Sequence, residues 1–347
     1  MLRRHVRGGR GWAVALALLV AAGCSHDHRT VVLIYSPHGK ELLQDFANRF
    51  MRVHPGIDLQ WDDMGSTEVL DRVRAERDNP QADVWFGAPA ELFERAAHEG
   101  LLEPYTPTWA DAVPAEAHDS SGYWYGTYLT PEVIGYNSDV VTAAEAPRDW
   151  DDVLDPKWKG KLVIRDPVAS GGMRAIFGAI LERSVAATGS TAAGWNWLRR
   201  LDANTKEYTL NPTILYQKLA RREGVITLFD MPDLAMLRQR EHIPVSYVFP
   251  ESGTPLLVDA IALIKGTHHP DSARAFYEFV TSQPLLLAAA RDHLRIPART
   301  DIDDDSLPEW IRTARQQLKP MPMNRAMLAD SLDGWMTYWD SHIRHRS

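Results

Sequence analysis

The distribution of apolar residues predicts strands and helices in alternation from residue 31 onward. Residues 31–35 form a continuous apolar run, which is typical of a strand buried on both faces. After a break at residues 36–39, apolar side chains recur at helical spacing over residues 42–50. Residues 57–61 then alternate between apolar and polar, as a second strand does. Strands that alternate with helices predict an α/β fold with a mainly parallel sheet.

The same order recurs along the chain, and each predicted strand ends in small or capping residues before a helix begins. In such sheets, ligands bind beyond the carboxyl ends of the strands. We therefore expect the loops after five predicted strands to compete for one binding site. These loops comprise residues 36–39, 65–67, 87–89, 166–172 and 230–233.

Two extended segments interrupt this order and predict a second lobe. Residues 123–136 are aromatic and extended in pattern, and residues 253–264 form a strand after the second α/β block. A chain that crosses twice between lobes forms a hinge with a cleft between them, and Thr267 or Asp271 is expected to cap the helix that follows. The predicted division is residues 31–129 for the first lobe, 130–250 for the second, 251–300 for the return to the first, and 301–347 for C-terminal helices.

Residues 1–23 have the order of a secretory signal. Four Arg residues precede an apolar run at residues 12–20, which is shorter than the ~20 residues of a spanning helix, and small residues follow. Cys24 comes next and is the only cysteine, which excludes an internal disulfide. It resembles the lipidated Cys of bacterial lipoproteins, with Ala21 where that motif usually has Leu. We expect residues 24–30 to be a tether lipidated at Cys24; the alternative is a plain signal peptide.

Composition and charge exclude several classes of protein. The chain has 347 residues, and only one apolar run approaches spanning length, which excludes a polytopic membrane protein. This length favours two domains, because single cores stop growing near ~250–300 residues. Removal of residues 1–23 takes away four Arg and no acidic residue, so the net charge of −8 becomes −12. So acidic a chain disfavours a nucleic-acid partner.

Three short motifs carry a resemblance to a known family. They are residues 35–41 (YSPHGKE), 80–87 (PQADVWFG) and 150–161 (WDDVLDPKWKGK). They resemble the extracellular solute-binding proteins of bacterial ABC importers, in the branch that includes ferric-binding proteins. The resemblance implies two α/β lobes joined by hinge strands, a ligand closed between them, and delivery by a monomeric periplasmic receptor to a permease with an ATPase. A lipid on Cys24 would keep such a receptor at the membrane.

The same resemblance argues against Fe(III) as the ligand. Iron binders of the family use paired Tyr in the second lobe, with a His and a Glu in the first. The matching positions have no Tyr at residues 229–232, Gly39 in place of the His and Ala88 in place of the Glu. His38 lies one residue from the His position, which still leaves too few donors for such a metal.

Small and hydroxyl residues at the predicted helix N-termini indicate an anion site. A helix N-terminus presents unpaired N–H groups and a partial positive charge, and small residues let an oxyanion approach. Ordinary capping is the alternative for any one of these loops. Lys40 and Arg174 are candidate helpers or plain surface charges. The candidate anion-binding residues are Ser36, Gly65, Ser66, Thr67, Gly87, Ser170, Gly171 and Gly172.

Two carboxylates predict a second end of the ligand site. Asp230 and Glu251 flank predicted strands, where each would accept bonds from sugar hydroxyls or pair with an ammonium. The alternatives are a helix cap for Asp230, with Asp233 as its rival, and plain surface for Glu251. His38 is a candidate ligand donor or a loop residue. The aromatic residues with stacking on the ligand or core packing as open roles are Trp85, Trp124, Tyr125 and Tyr128.

These residues predict a receptor that captures a small anionic solute, such as a sugar phosphate or a phosphonate, with no cofactor, no metal and no catalysis. Alternatives within the family are an Fe(III) receptor and a thiamine or polyamine receptor. A sensory lipoprotein is another alternative, which the absence of a neighbouring permease gene would favour. A secreted hydrolase is the last, although the chain has no HExxH motif, no G-x-S-x-G elbow and no cysteine beyond Cys24.

Replacement of the single cysteine tests the lipid anchor. We expect Cys24→Ser to make the protein soluble after cell lysis, because serine offers no thiol for lipid attachment. Membrane pelleting followed by immunoblotting measures the partition, and Ser25→Ala is the control that stays with the membrane. A Cys24→Ser protein that still pellets with the membrane contradicts the anchor.

Overall fold

Parallel strands form the first sheet of the computed structural model, which describes residues 29–344. Its elements are β1 (Thr30–Ser36), α1 (Lys40–Val53), β2 (Ile57–Asp63), α2 (Ser66–Ala75), β3 (Val84–Pro89), α3 (Ala90–His98) and the short β4 (Leu102–Glu103). The strand β1 lies between β2 and β3. Helix α1 buries Phe46 and Phe50 because their spacing places both on one face. The predicted alternation of strands and helices is confirmed here.

The second sheet follows in the chain and also alternates strands with helices. Its elements are β5 (Tyr125–Asn137), β6 (Leu162–Arg165), α4 (Gly171–Thr188), α5 (Ala192–Asn204), β7 (Thr205–Thr209), α6 (Pro212–Ala220), β8 (Ile226–Asp230), α7 (Met231–Gln239) and β9 (Val245–Val248). The strand order is β5–β8–β6–β7, and β9 pairs with β5. A core separate from that of the first sheet includes Trp150, Ile164 and Phe177. The molecule therefore has two lobes, as predicted.

Two long strands connect the lobes. Residues 125–131 of β5 pair with β10 (Leu256–Ile264) in the first sheet, whereas residues 132–137 pair with β8 and β9 in the second. The chain leaves the first lobe along β5 and returns through β10, so these strands are antiparallel. The prediction of a mainly parallel sheet is therefore wrong for the centre of the molecule. This pairing supports lobe boundaries near 130 and 250, which remain our prediction.

Helices complete the first lobe and then lead back to the second. The remaining elements are α8 (Pro270–Val280), α9 (Gln283–Asp292), β11 (Ile296–Pro297), α10 (Glu309–Gln317) and α11 (Arg325–His342). Helix α8 begins after His269, so neither Thr267 nor Asp271 is its N-cap residue. The Thr267 hydroxyl instead accepts a bond from the His269 N–H at 3.2 Å, which stabilises the preceding turn.

The C-terminal helix α11 contacts both lobes. Its apolar side packs into the core of the second lobe, where Trp339 is fully buried. On its other side, Asp333 accepts a bond from Arg95 of α3 in the first lobe at 2.9 Å and another from Arg174 of α4 in the second. Arg325 of α11 also lies 3.6 Å from Glu94 of α3. Ion pairs on α11 thus join the two lobes.

The predicted signal sequence and Cys24 lie outside the described residues. Among the helices between residues 29 and 344, none is both long enough and apolar enough to cross a membrane.

Two aromatic residues of α11 allow a matched test of its packing. We expect Trp339→Ala to lower the free energy of unfolding by about 3–5 kcal/mol, because it removes a buried side chain and leaves a cavity. Urea denaturation measures the loss. Tyr338→Ala is the control, since Tyr338 is 37% exposed and should cost far less. Equal losses in the two variants would contradict this account of how α11 is held.

Candidate functional site

A crevice of about 440 Å³ lies between the lobes, at the carboxyl ends of the predicted strands. Every one of the five predicted loops contributes to its wall, as expected for ligand sites of this fold class. The predicted site residues that line it are His38, Gly65, Ser66, Ser170, Gly171, Gly172 and Asp230. The two lobes approach closely here: a Cβ added to Gly171 would lie 3.3 Å from Cγ of Pro89.

Four predicted site residues lie elsewhere. Ser36 is fully buried and its hydroxyl accepts a bond from the His38 N–H at 3.2 Å. Gly87 lies beneath His38, where a Cβ would come within 2.5 Å of Nε2, so that glycine makes room for the imidazole. Thr67 lines an adjoining cavity of about 530 Å³. Glu251 is exposed and outside the crevice, because its N–H donates to the Arg148 carbonyl and holds the turn on the outer surface; its predicted ligand role is not supported.

Two helix N-termini supply the candidate anion site. At the start of α4, the Ser170 hydroxyl accepts a bond from the Met173 N–H at 3.3 Å, which leaves Gly171 and Gly172 in a first turn without intrahelical acceptors. At the start of α2, Gly65 has no side chain to cap the helix, and it lines the crevice with Ser66. One helix belongs to each lobe. Their positive ends are arranged to hold an anion between the lobes.

A buried carboxylate pair forms the other side of the crevice, and the sequence did not predict half of it. Glu132 of β5 and Asp230 of β8 are register partners on antiparallel strands. Both lie against Gly172, where a Cβ would be 2.5 Å from Oδ1 of Asp230 and 2.8 Å from Oε1 of Glu132. Asp230 precedes α7 but makes no side-chain capping bond, so capping does not explain it. Position 172 therefore accepts only glycine while the pair stays in place.

Burial changes the protonation of this pair. Glu132 is fully buried, and neither of its oxygens accepts a hydrogen bond from any described group. Burial raises the pKa of Glu132 well above its usual value, and the nearby Asp230 raises it further. Burial likewise raises the pKa of Asp230 to about 6. A proton on Glu132 is donated to Asp230, so the pair shares one proton when the crevice is empty of cations.

Further charged groups surround the pair. Asp233 accepts a bond from the Tyr216 hydroxyl at 2.7 Å, and Asp259 accepts one from the Thr130 hydroxyl at 3.0 Å. Arg295 lines the crevice with a buried Nε that has no acceptor among the described residues. The crevice thus combines an acidic side with a cationic group and two helix N-termini, which suits a ligand that carries both signs of charge.

The imidazole of His38 is a neutral group at the edge of the crevice. It contacts the rings of Phe86 and Tyr128 edge-on, with centroids 4.6 and 5.4 Å away. Burial lowers the pKa of His38 well below its usual value, so the ring carries no charge at neutral pH.

The predicted aromatic stacking residues lie in the core. Trp85 packs face to face against Phe93 at 4.2 Å, and Trp124, Tyr125 and Tyr128 are buried. Between residues 29 and 344, no group of three or more His, Cys, Asp and Glu side chains is placed to hold a metal ion.

The protonation of the pair predicts a pH-dependent stability. Carboxyl groups whose folded pKa is raised stabilise the fold below their ordinary pKa, and this contribution is lost as the pH rises through the folded value. We expect Glu132→Gln to be more stable than the wild type at pH 8 by at least about 1 kcal/mol, and to lose this advantage at pH 4.5. Urea denaturation across this range measures it. Glu241→Gln, at an exposed position, should follow the wild type; a Glu132→Gln variant that also does so contradicts the shared proton.

Comparison with known proteins agrees with this architecture. Residues 79–341 match the family model of the bacterial extracellular solute-binding proteins. A probable ABC transporter periplasmic-binding protein, y4fP of Sinorhizobium fredii, is 28% identical over 96% of this chain and 92% of its own. A putative 2-aminoethylphosphonate-binding periplasmic protein of Salmonella typhimurium is 26% identical over 94% of this chain and 92% of its own.

A solved structure has the same fold. The periplasmic binding protein AfuA of Actinobacillus pleuropneumoniae, with fructose-6-phosphate bound, is similar with a TM-score of 0.76 and 22% identity, over 90% of this chain and 98% of that one. The family match covers well over half of the chain, and it joins a two-lobed fold to a crevice between the lobes. The chain belongs to the bacterial extracellular solute-binding proteins, the family that supplies the substrate-binding components of ABC importers.

Proposed function

We propose that this receptor captures a small solute that bears a phosphate or phosphonate group and delivers it to an ABC permease. The observation that carries the proposal is the meeting of two helix N-termini, one from each lobe, at a single crevice. Their first-turn N–H groups are uncapped donors in an apolar surrounding, and such donors bind phosphoryl oxygens.

The relatives support this class of solute. The Salmonella relative carries a name that specifies 2-aminoethylphosphonate, and AfuA was solved with fructose-6-phosphate. Both molecules have a tetrahedral oxyanion on a small organic group. Sugar phosphates and phosphonates are therefore the two candidate groups of solutes.

Hinge closure is the proposed mechanism. The lobes are joined by β5 and by the chain that enters β10, so rotation there separates the N-terminus of α2 from that of α4. An anion contacts both helices only when the lobes are together. It therefore binds the closed form more tightly than the open form and shifts the population towards closure.

The proposed location follows from the N-terminal sequence. After removal of residues 1–23, a lipid on Cys24 would hold the receptor at the membrane in the cell envelope, as a monomer beside its permease and ATPase. The proposed receptor transfers its solute unchanged and performs no catalysis.

A thermal-shift screen tests the class of solute. We expect phosphonates or sugar phosphates to raise the melting temperature, because a ligand at 100 times its dissociation constant adds ~2.7 kcal/mol to the free energy of unfolding. Thiamine, spermidine and Fe(III) citrate are tested in the same screen. A shift by Fe(III) alone, or by none of the organophosphorus compounds, would reject the proposal.

Substitution of the α4 cap tests the site itself. We expect Ser170→Asp to weaken phosphonate or phosphate binding at least tenfold, because aspartate caps the helix but repels the anion. Ser170→Asn is the matched control, since asparagine caps equally well without the charge. Calorimetric titration of the solute found in the screen measures both variants. Equal affinities would remove the α4 N-terminus from the site.

A further inference from the structure

We propose, building on the function proposed above, that the crevice selects a solute whose protonated amine lies close to its phosphate or phosphonate, and that Glu132 and Asp230 hold this amine. The inference names the class of solute as a short zwitterion. It also assigns a specificity role to Glu132, a residue inside the hinge strand β5.

The pairing of the strands creates a demand for a cation. Glu132 and Asp230 are directly opposite on β5 and β8, and Cβ atoms of such partners lie roughly 4.5–5.5 Å apart. Like charges in this position destabilise a sheet. Glu132 is fully buried and neither of its oxygens accepts a hydrogen bond. An ammonium group, with three donors and a positive charge, satisfies both carboxylates at once.

The distance between the two ends of the site sets the length of the solute. The carboxylates lie against Gly172, whereas Gly171 lies beside Pro89 of the opposite lobe, next to the N-terminus of α2. Consecutive Cα atoms are about 3.8 Å apart. The anion end and the cation end are therefore only a few Å apart, which favours a linker of two or three atoms over a hexose ring.

The neighbouring charges do not replace the amine. Asp233 on α7 and Asp259 on β10 face the pair and have hydroxyl partners in Tyr216 and Thr130. The guanidinium groups that face Asp230 are those of Arg295 and of Arg165, which donates to the carbonyls of Thr209 and Leu210. Neither guanidinium lies within ion-pair distance of Asp230, and none is within that distance of Glu132 among the described residues.

Binding of the amine exchanges one cation for another. Burial raises the pKa of Glu132, so the empty pair holds a proton; the incoming ammonium takes its place and the proton passes to solvent. Affinity for an amine-bearing solute therefore rises with pH. A solute without an amine leaves the proton on the pair, and its affinity falls once that proton is lost, because the anion then meets two carboxylates.

Calorimetric titration of the full mature protein with three matched probes tests the inference. The probes are 2-aminoethylphosphonate, 2-hydroxyethylphosphonate and ethylphosphonate, which differ only in the terminal group. We expect the amine to bind at least tenfold more tightly than the other two at pH 8. This preference should shrink to less than threefold in Glu132→Gln and in Asp230→Asn, and persist in the exposed control Glu241→Gln. The two variants also give independent results if one of them fails to fold.

A pH series separates the pair from the titration of the probes. The phosphonate groups titrate identically against every protein, so the ratio of wild-type to Glu132→Gln affinity isolates the pair between pH 5.5 and pH 8. We expect that ratio to increase with pH for the amine and to decrease for ethylphosphonate.

Other outcomes would overturn the inference in distinguishable ways. Equal binding of the hydroxyl and amine probes would show that the pair accepts hydroxyls, and an unchanged amine preference in Glu132→Gln would exclude that residue. In both cases the phosphonates still bind, so the function proposed above survives. If no phosphonate and no sugar phosphate binds, that function fails as well.

Discussion

Two carboxyl groups placed opposite each other on antiparallel strands set the electrostatic condition that the rest of the crevice must meet. Glu132 and Asp230 come from the strands that cross between and line the lobes, so they cannot separate without disrupting the hinge. Their burial against Gly172 removes water that would otherwise solvate both charges. The protein therefore needs a proton or a cationic partner at this place whenever the lobes are together.

Much of the fold follows from the sequence because buried strands are apolar on both faces. The strand β10 occupies residues 256–264, the range predicted from its apolar pattern. The strand β7 gave no such signal: it reads Thr-Lys-Glu-Tyr-Thr and lies at the edge of the second sheet, where one side faces water. Direction was also hidden, since local periodicity does not distinguish a strand that leaves a lobe from one that returns.

The candidate site was predictable only in its loops. Ser170 and Gly171 stood out because they precede a helix, and helix N-termini bind anions wherever they occur. Glu132 gave no signal, since it lies within an apolar strand and its partner Asp230 is far away in the chain. Only the register between β5 and β8 reveals the pair. Glu251 was misplaced for the same reason, because a residue that flanks a strand can face either surface.

The ion pairs of α11 make the medium outside the cell a determinant of the receptor's shape. Asp333 is exposed over 58% of its side chain while it contacts Arg95 of one lobe and Arg174 of the other. Dissolved salt screens exposed charges, with a Debye length of about 8 Å at 0.15 M. Saltier surroundings therefore loosen the lobes in the absence of cargo, and dilute surroundings keep them together. Osmotic conditions and capture of nutrients are in this way linked through a helix that lies outside the crevice for the solute.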